Sequence, residues 1–349
     1  MPKILRPASI GMALILATGQ LATAGQTHFA FKQISVNGST NVYATAINNK
    51  GTIAGAYISG LNAYGFILHG GMATVLPAPC TQNLEQCVPI PTAINGTGTV
   101  AGYWITFGAT ATYGFTWQPG SAILANSFLM QSSECFPCQK PWLSERGIVA
   151  FSALGGGPPA PGTYVGPPSS LQSVPGLESA TVQAVNRFSA LSGIDTATIR
   201  GKTLAAVFTA HGSTIRRLVP PYAASVGSAL INDADEVVGA YQDTAGLLHG
   251  FTHQSGKFTT FDMPLAAISI TLNALNEKGR AVGWFIDSTG VKRPFLYNGT
   301  KAIEIGHNTY DVGDTLNLAI DDEGVMILGD MRNLGSSVSY HIRCAGPGC

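Results

Sequence analysis

The chain has 349 residues, with 19 Lys and Arg against 19 Asp and Glu, 42 Gly, 20 Pro and only 11% charged residues. Zero net charge without a basic stripe argues against a nucleic-acid partner, and 45% hydrophobic residues at so low a charge argues against a disordered chain. Abundant glycine with little charge suits a turn-dense β protein.

Residues 1–24 read as a secretory signal peptide. Lys3 and Arg6 form a positive start, Ala8 to Thr18 an apolar core too short to cross a bilayer, and Ala22-Thr23-Ala24 a small-residue cleavage site. No cysteine follows for a lipid anchor, and no apolar run of about 18 residues occurs later, so the mature chain is expected to have no membrane span. The expected location is exported, periplasmic or extracellular, with residues 25–349 as a single domain. Phe29 to Val36 reads as its first strand.

A repeat then begins. Its clearest copy lies in Ala274 to Gly299, ALNEKGRAVGWFIDSTGVKRPFLYNG. Asn276 can hydrogen-bond the backbone two residues on, and Gly279 supplies positive φ, so Leu275 to Gly279 reads as a turn. Arg280 to Ile286, Val291 to Tyr297 and Lys301 to Ile305 read as strands separated by Asp287–Gly290 and Asn298-Gly299. Equivalent turns start at Ile47-Asn48, Ile94-Asn95, Leu143-Ser144, Val185-Asn186, Ile231-Asn232 and Ile320-Asp321. With Asn276 that makes seven, at steps of 47, 49, 42, 46, 44 and 45 residues. Ser144 replaces the Asn in the third copy, and Ser189 and Asp235 replace the turn Gly in the fourth and fifth. A second landmark, Gly65-Phe66, Gly114-Phe115, Gly250-Phe251 and Pro294-Phe295, opens a later strand about 18–20 residues after the Asn.

A period in the forties with four strands per unit predicts an all-β, seven-bladed β-propeller of seven repeats of about 46 residues. The fourth strands fall at Met72–Leu76, Ile123–Asn126, Leu171–Val174, Thr214–Leu218, Phe258–Phe261 and Lys301–Ile305. The seventh unit lacks one. The N-terminal strand occupies that place in the period, so it is expected to close the ring and remove open sheet edges.

The pattern IN-x-x-G-x-[IV]-x-G-x-[YW] followed by GF, seen in AINNKGTIAGAY, AINGTGTVAGYW, LINDADEVVGAY and ALNEKGRAVGWF, resembles the HAF-type repeats of predicted extracellular bacterial proteins. The resemblance covers nearly the whole mature chain, the third and fourth repeats matching poorly. It implies export and no established activity, so it carries no functional residues.

Propeller geometry puts the tight turns, such as NNKG and NGTG, on one face and the longer connections on the other. Function usually sits on variable loops held by a rigid scaffold, so a ligand is expected on the long-loop face or the channel mouth there. Trp142, Arg200, Asp243, Asp287, Lys292, Arg293 and Arg332 are its candidate residues. The six cysteines form three close pairs, Cys80/Cys87, Cys135/Cys138 and Cys344/Cys349, which in an exported chain favour local disulfides. The first two pairs are expected inside the largest long-face loops, Pro77–Pro91 and Met130–Trp142. Cys135-Phe-Pro-Cys138 lacks the βαβ context of a redox motif.

No H-E-x-x-H, nucleophile elbow or phosphate loop is present. His249 and His253 lie in one strand and read as a sheet surface. Asp243 and Asp287, each followed by a Gly three residues on, could belong to calcium loops, although Asx turns explain them more simply. No other cofactor is indicated. The leading expectation is a monomeric, non-catalytic binding or scaffolding propeller with an unknown ligand, a glycan or a protein. The alternatives are a carbohydrate hydrolase or lyase, for which Asp195, Asp243 and Asp287 would have to converge, and a self-associating envelope protein.

Overall fold

The computed structural model describes residues 27–77, 87–106, 112–121, 125–131, 140–153, 160–199, 202–306, 310–311, 313–333 and 336–349. The signal-peptide reading of residues 1–24 lies outside them, as do Cys80, Cys135 and Cys138. Seven four-stranded antiparallel sheets form a seven-bladed β-propeller. Blade 1 spans 42–75, blade 2 87–131, blade 3 142–173, blade 4 181–218, blade 5 223–261, blade 6 267–304 and blade 7 315–345. Within each blade the first strand is innermost, packing against the first strands of its neighbours.

The ring closes as expected. His28–Gln33 pairs antiparallel with Ser336–Ala345, from His28 opposite Ala345 to Gln33 opposite Tyr340, as the fourth strand of blade 7. A disulfide joins Cys344 to Cys349 with Cα atoms 5.6 Å apart. The short C-terminal segment it staples is anchored at both sides: Gly348 N–H donates to Thr27 Oγ1 at 2.9 Å, and Asn298 Nδ2 donates to the Gly348 carbonyl at 2.9 Å.

The repeat motif has a physical meaning in this fold. Each turn Asn points its side-chain oxygen at its own turn. Asn276 Oδ1 accepts from Lys278 N at 3.1 Å and Arg280 N at 2.9 Å, and Asn48, Asn95, Asn186 and Asn232 repeat the arrangement. The amide nitrogen meanwhile reaches the next blade. Asn48 donates to Asn95 O at 2.7 Å, Asn95 to Glu145 O at 3.4 Å, Asn186 to Asn232 O at 3.1 Å, Asn232 to Asn276 O at 3.4 Å and Asn276 to Asp321 O at 2.9 Å. These groups are buried, and a buried polar group needs its partners. Ser144 caps its own turn at 3.1 Å but has no amide to send on to blade 4. Asp321 likewise has none, and the junction between blades 7 and 1 is made by Asn49 and Asp322, which bond each other in both directions.

The Phe of the Gly–Phe landmark packs on a different glycine, the one in the second strand of the repeat. In five blades Gly55, Gly102, Gly193, Gly239 and Gly283 sit opposite Phe66, Phe115, Phe208, Phe251 and Phe295 on the neighbouring strand. A Cβ on Gly239 would lie 2.4 Å from the Phe251 ring and 2.3 Å from the Ser228 carbonyl. That carbonyl intrudes because the first strand bulges between Val226 and Ser228. All five Phe rings are fully buried, each stabilising the fold by about 1.5–3 kcal/mol.

Three details differ from the sequence expectation. The first concerns Cys87, expected within the long connection 77–91 and stapled there to Cys80. It is instead the first residue of a strand: Cys87–Ile94 is the innermost strand of blade 2, and Cys87 pairs opposite Thr106. Pro89 and Pro91 make this stretch look like loop in sequence. The innermost strand is a sheet edge, however, and an edge strand tolerates residues that cannot donate to the ladder. The second is the fourth strand of blade 2, which runs Ala125–Gln131 rather than 123–126, with irregular pairing to Thr112–Trp117 at two points. The third is blade 3, the poorest copy and also the thinnest: its first and fourth strands, Trp142–Leu143 and Gln172–Ser173, are two residues each.

Ser189 and Asp235 do adopt the left-handed backbone of the Gly they replace, at φ 65° and 56°. Ser189→Gly is therefore expected to raise stability by about 1 kcal/mol, read as a higher midpoint in urea with an unchanged slope. Asn276→Ala removes two turn bonds and one inter-blade bond and is expected to cost about 2–3 kcal/mol. Asn276→Asp, which keeps the turn cap and loses only the donor, should fall between the parent and Asn276→Ala in the same assay.

Candidate functional site

The expected site residues fall into two groups, and most are already occupied. Asp287 Oδ1 accepts from Thr289 N, Thr289 Oγ1 and Val291 N, while Oδ2 takes Arg293 Nε at 2.7 Å; Arg293 also binds Glu304 at 2.9 Å. The Thr289 hydroxyl and the Arg293 guanidinium hold the Asp287 carboxyl well below the usual carboxylate range. Asp243 builds the same turn through Ala245 N and Leu247 N, and its second oxygen lies 3.4 Å from His249 Nε2. The oxygens a calcium loop would need are thus spent on Asx turns and cations. Asp195 pairs with Arg217 and Asp287 with Arg293, while Asp243 lies against His249, so none of the three shares a partner with another. Among the described residues no group of three His, Cys, Asp or Glu side chains could hold a metal ion. Arg200 lies outside the described residues.

Three other candidates stand differently from expectation. Lys292 is buried: its Nζ donates to the Asp314 carbonyl and lies 4.6 Å over the Trp284 ring. Arg332 is exposed, but its Nε is held 2.8 Å from Asp330 Oδ2. Asp330 is buried, its Oδ1 has no hydrogen-bond partner among the described residues, and burial pushes its pKa up. Trp142 is not on the long-loop face. It belongs to the first strand of blade 3, walls the central channel, and donates from Nε1 to the Val182 carbonyl at 3.2 Å.

His249 is more than a sheet surface. It sits between two carboxylates, Nδ1 2.6 Å from Asp262 Oδ1 and Nε2 toward Asp243. Burial opposes its charge, but the bonds to Asp262 and Asp243 outweigh that and raise its pKa. His253, four residues on, instead packs on Phe258 at 4.6 Å, and burial lowers its pKa.

A cavity of about 200 Å³ lies on the axis, walled by the closing residues of the first strands and the asparagine turns. Its rim on the short-turn face carries an unforeseen chain of acids. Each stands one residue after the turn Asn and accepts the backbone N–H of that same position in the preceding blade. Glu145 takes Gly96 N at 2.7 Å, Asp233 takes Arg187 N at 2.8 Å, Glu277 takes Asp233 N at 2.8 Å and Asp322 takes Glu277 N at 2.8 Å. Arg187 also pairs with Asp233 at 3.2 Å. The signal is present in the repeat as Ser-Glu, Asn-Asp, Asn-Glu and Asp-Asp, but its meaning needs the ring neighbour. Partial burial, and after it the charges of Asp233 and Asp322, push Glu277 up to about 7 against the pull of its Asp233 N–H bond.

The long-loop face differs in chemistry. Leu61, Tyr222, Leu247, Leu265 and Ile268 are all exposed there, at 95%, 83%, 60%, 46% and 61%. Tyr222, in the connection entering blade 5, holds φ at 63°, an outlier for a bulky residue. Its carbonyl accepts from Thr244 N at 3.0 Å, which ties it to the loop that carries Leu247. On the opposite face, among the described residues of the asparagine turns, the one large apolar side chain exposed is Phe188, flanked by Arg187 and Arg146 at 4.7 and 5.6 Å.

No family model matches the chain and no curated protein matches it. Solved structures do. A prolyl endopeptidase aligns at TM-score 0.56 and 11% identity over 87% of this chain and 50% of that one. The β-propeller domain of the Trilobed protease from Pyrococcus furiosus, with an open velcro topology, aligns at 0.52 and 10% over 82% and 96%. A chain of the mitotic checkpoint complex aligns at 0.53 and 11% over 97% and 98%. The chain spans about half the length of the prolyl endopeptidase it matches. The class that fold and comparisons define is the β-propeller, here with a closed ring. No helix among the described residues is long and apolar enough to cross a membrane.

Glu277 gives a pH test of the rim. Its folded pKa of about 7 lies above the unfolded value of 4.5, so the folded state holds the extra proton between them. Its contribution is fully present below about pH 4.5 and is lost as pH rises through about 7. Glu277→Gln keeps an oxygen for Asp233 N–H. Its melting temperature relative to the parent is expected to rise between pH 5 and pH 8, measured by thermal scans across that range.

Proposed function

We propose that this chain is an exported, non-catalytic binding propeller that presents its long-loop face to a protein partner. The observation that carries the reading is the set of large apolar side chains exposed on that face, with Tyr222 held in a strained backbone beside Leu247. Tyr222, Leu247, Leu265 and Ile268 lie in or beside the adjacent blades 5 and 6, where apolar side chains exposed together suit an interaction surface, and strain persists where surrounding structure imposes it. A protein is favoured over a glycan because four of the five side chains are aliphatic. The signal-like residues 1–24 and the resemblance of the repeat to HAF-type sequences support export. The Asp195 and Asp287 carboxylates, each paired with an arginine, and Asp243, bonded within its own turn and to His249, support binding over the glycosidase alternative, which needs a free acid–base pair.

A photo-crosslinking residue at Leu247 in the native host is expected to yield one discrete protein adduct, and the same probe at Lys278, on the short-turn face, none. Adducts from position 278 alone would place recognition on the opposite face, and a carbohydrate-only adduct from 247 would replace the protein by a glycan.

A further inference from the structure

The first strands of the seven blades, VYATAI, CVPIPTAI, WL, TVQAV, AASVGSALI, AISITLNAL and TLNLAI, contain no charged residue. Lys140 breaks that uniformity. It stands two residues before the blade 3 strand, lines the axial cavity, and places Nζ 4.2 Å from the centre of the Trp142 ring. The Trp142 indole is in turn fixed by its bond to the Val182 carbonyl. Lys140 makes no ion pair with a described carboxylate, although Arg187 at the same cavity has Asp233. The rim acids do not serve it, since Glu145, Asp233 and Glu277 are directed at backbone N–H groups of preceding blades. An ammonium facing an uncharged wall is unfavourable unless something compensates it.

We infer that the axial cavity binds a small monocarboxylate, with Lys140 as its counter-charge and the Trp142 side of the wall as its apolar contact. This site is separate from the long-loop face and does not depend on the function proposed there. Of the cations lining the cavity, Arg187 is paired with Asp233 and Lys140 has no described carboxylate partner, so the site offers one ammonium to one carboxylate. A volume of about 200 Å³ is below the range of about 300–1,000 Å³ usual for pockets that take drug-sized ligands, so it suits a small organic acid. Burial pushes Lys140 down to about 8, in keeping with an ammonium that has no carboxylate partner among the described residues. Only the protonated form would hold the ligand, so affinity should be level below that value and fall tenfold for each pH unit above it.

The test is calorimetric titration of the folded chain, with tryptophan fluorescence in parallel, using acetate, propionate, butyrate and succinate at low salt. Propionate or butyrate is expected to bind one to one, succinate at least tenfold more weakly, and the preferred acid about tenfold more weakly at pH 9 than at pH 7. Lys140→Met should abolish binding and raise the melting temperature, because it deletes an unpaired charge and keeps the stem. Lys140→Arg should bind without the loss between pH 7 and 9. No binding of any monocarboxylate by the unaltered chain, or binding unchanged in Lys140→Met, would overturn the inference. A lower melting temperature in Lys140→Met would also overturn it, by making the lysine a structural partner of Trp142. The pH and chain-length comparisons on the unaltered protein stand even if a variant fails to fold.

Discussion

The side-chain amide of the turn asparagine joins the two levels of this structure. One end of the amide is an acceptor and the other a donor, and the two are used for different tasks. The oxygen closes the turn between the first and second strands of its own blade; the nitrogen bonds the backbone of the next blade. Local folding and ring assembly are therefore coupled through one buried group. Aspartate retains the turn and loses the link, as at Asp321, and serine does the same at Ser144. At the first of these gaps the adjacent residues, Asn49 and Asp322, restore the connection. At the second, blade 3 joins blade 4 one layer deeper, where Ser152 Oγ accepts from Val182 N at 2.8 Å.

A second constraint acts across each sheet. The bulge in the first strand turns a carbonyl toward the second strand, and the space it enters is available only opposite glycine. The phenylalanine of the third strand then covers the same glycine. Bulge, glycine and ring form a single packing unit, and side chains at the bulge level turn it outward to the neighbours: Thr45 donates to Pro91 O at 2.8 Å, Thr92 to Pro141 O at 3.0 Å and Asn317 to Thr45 O at 2.7 Å. The repeat needs an aromatic and a glycine at fixed offsets because three strands meet at that point.

This explains what can be read from the chain. The turn asparagine and the Gly–Phe pair recur at a fixed interval because each blade needs them, so blade number, strand order and closure by Phe29 to Val36 are legible. Contacts between blades are less so. The acids Glu145, Asp233, Glu277 and Asp322 are regular in sequence, but their partners are backbone groups some 45 residues earlier, and a backbone N–H leaves no trace in composition. The candidate loop residues mislead for a related reason. Arg293 and Arg332 look like free cations in a linear reading, yet Asp287 and Asp330 lie on the strand paired beside them or two residues away. Trp142 is hard to place because the first strand of blade 3 is only two residues long, which gives no alternation from which to judge its direction. At Cys87 the difficulty is reversed: a strand is there, but its two prolines read as breakers.

The arrangement separates stability from variation. The repeated bonds that join blade to blade run through the asparagine turns, the acidic rim and the bulges, on the short-turn side or in the middle of the ring, while single bonds such as Ser337 N to Asn41 Oδ1 lie at the long-loop connections. On the other side the charged pairs are chiefly internal to a blade, as Asp243 with His249 and Asp287 with Arg293 show. A loop there can change length or chemistry while the links at the asparagine turns, the rim and the bulges stay intact, because none of those passes through it. Exposed aliphatic side chains are tolerable on such a surface for the same reason. The axial wall has no such freedom: all seven blades contribute to its lining, so Lys140 stands in an environment that the whole ring sets.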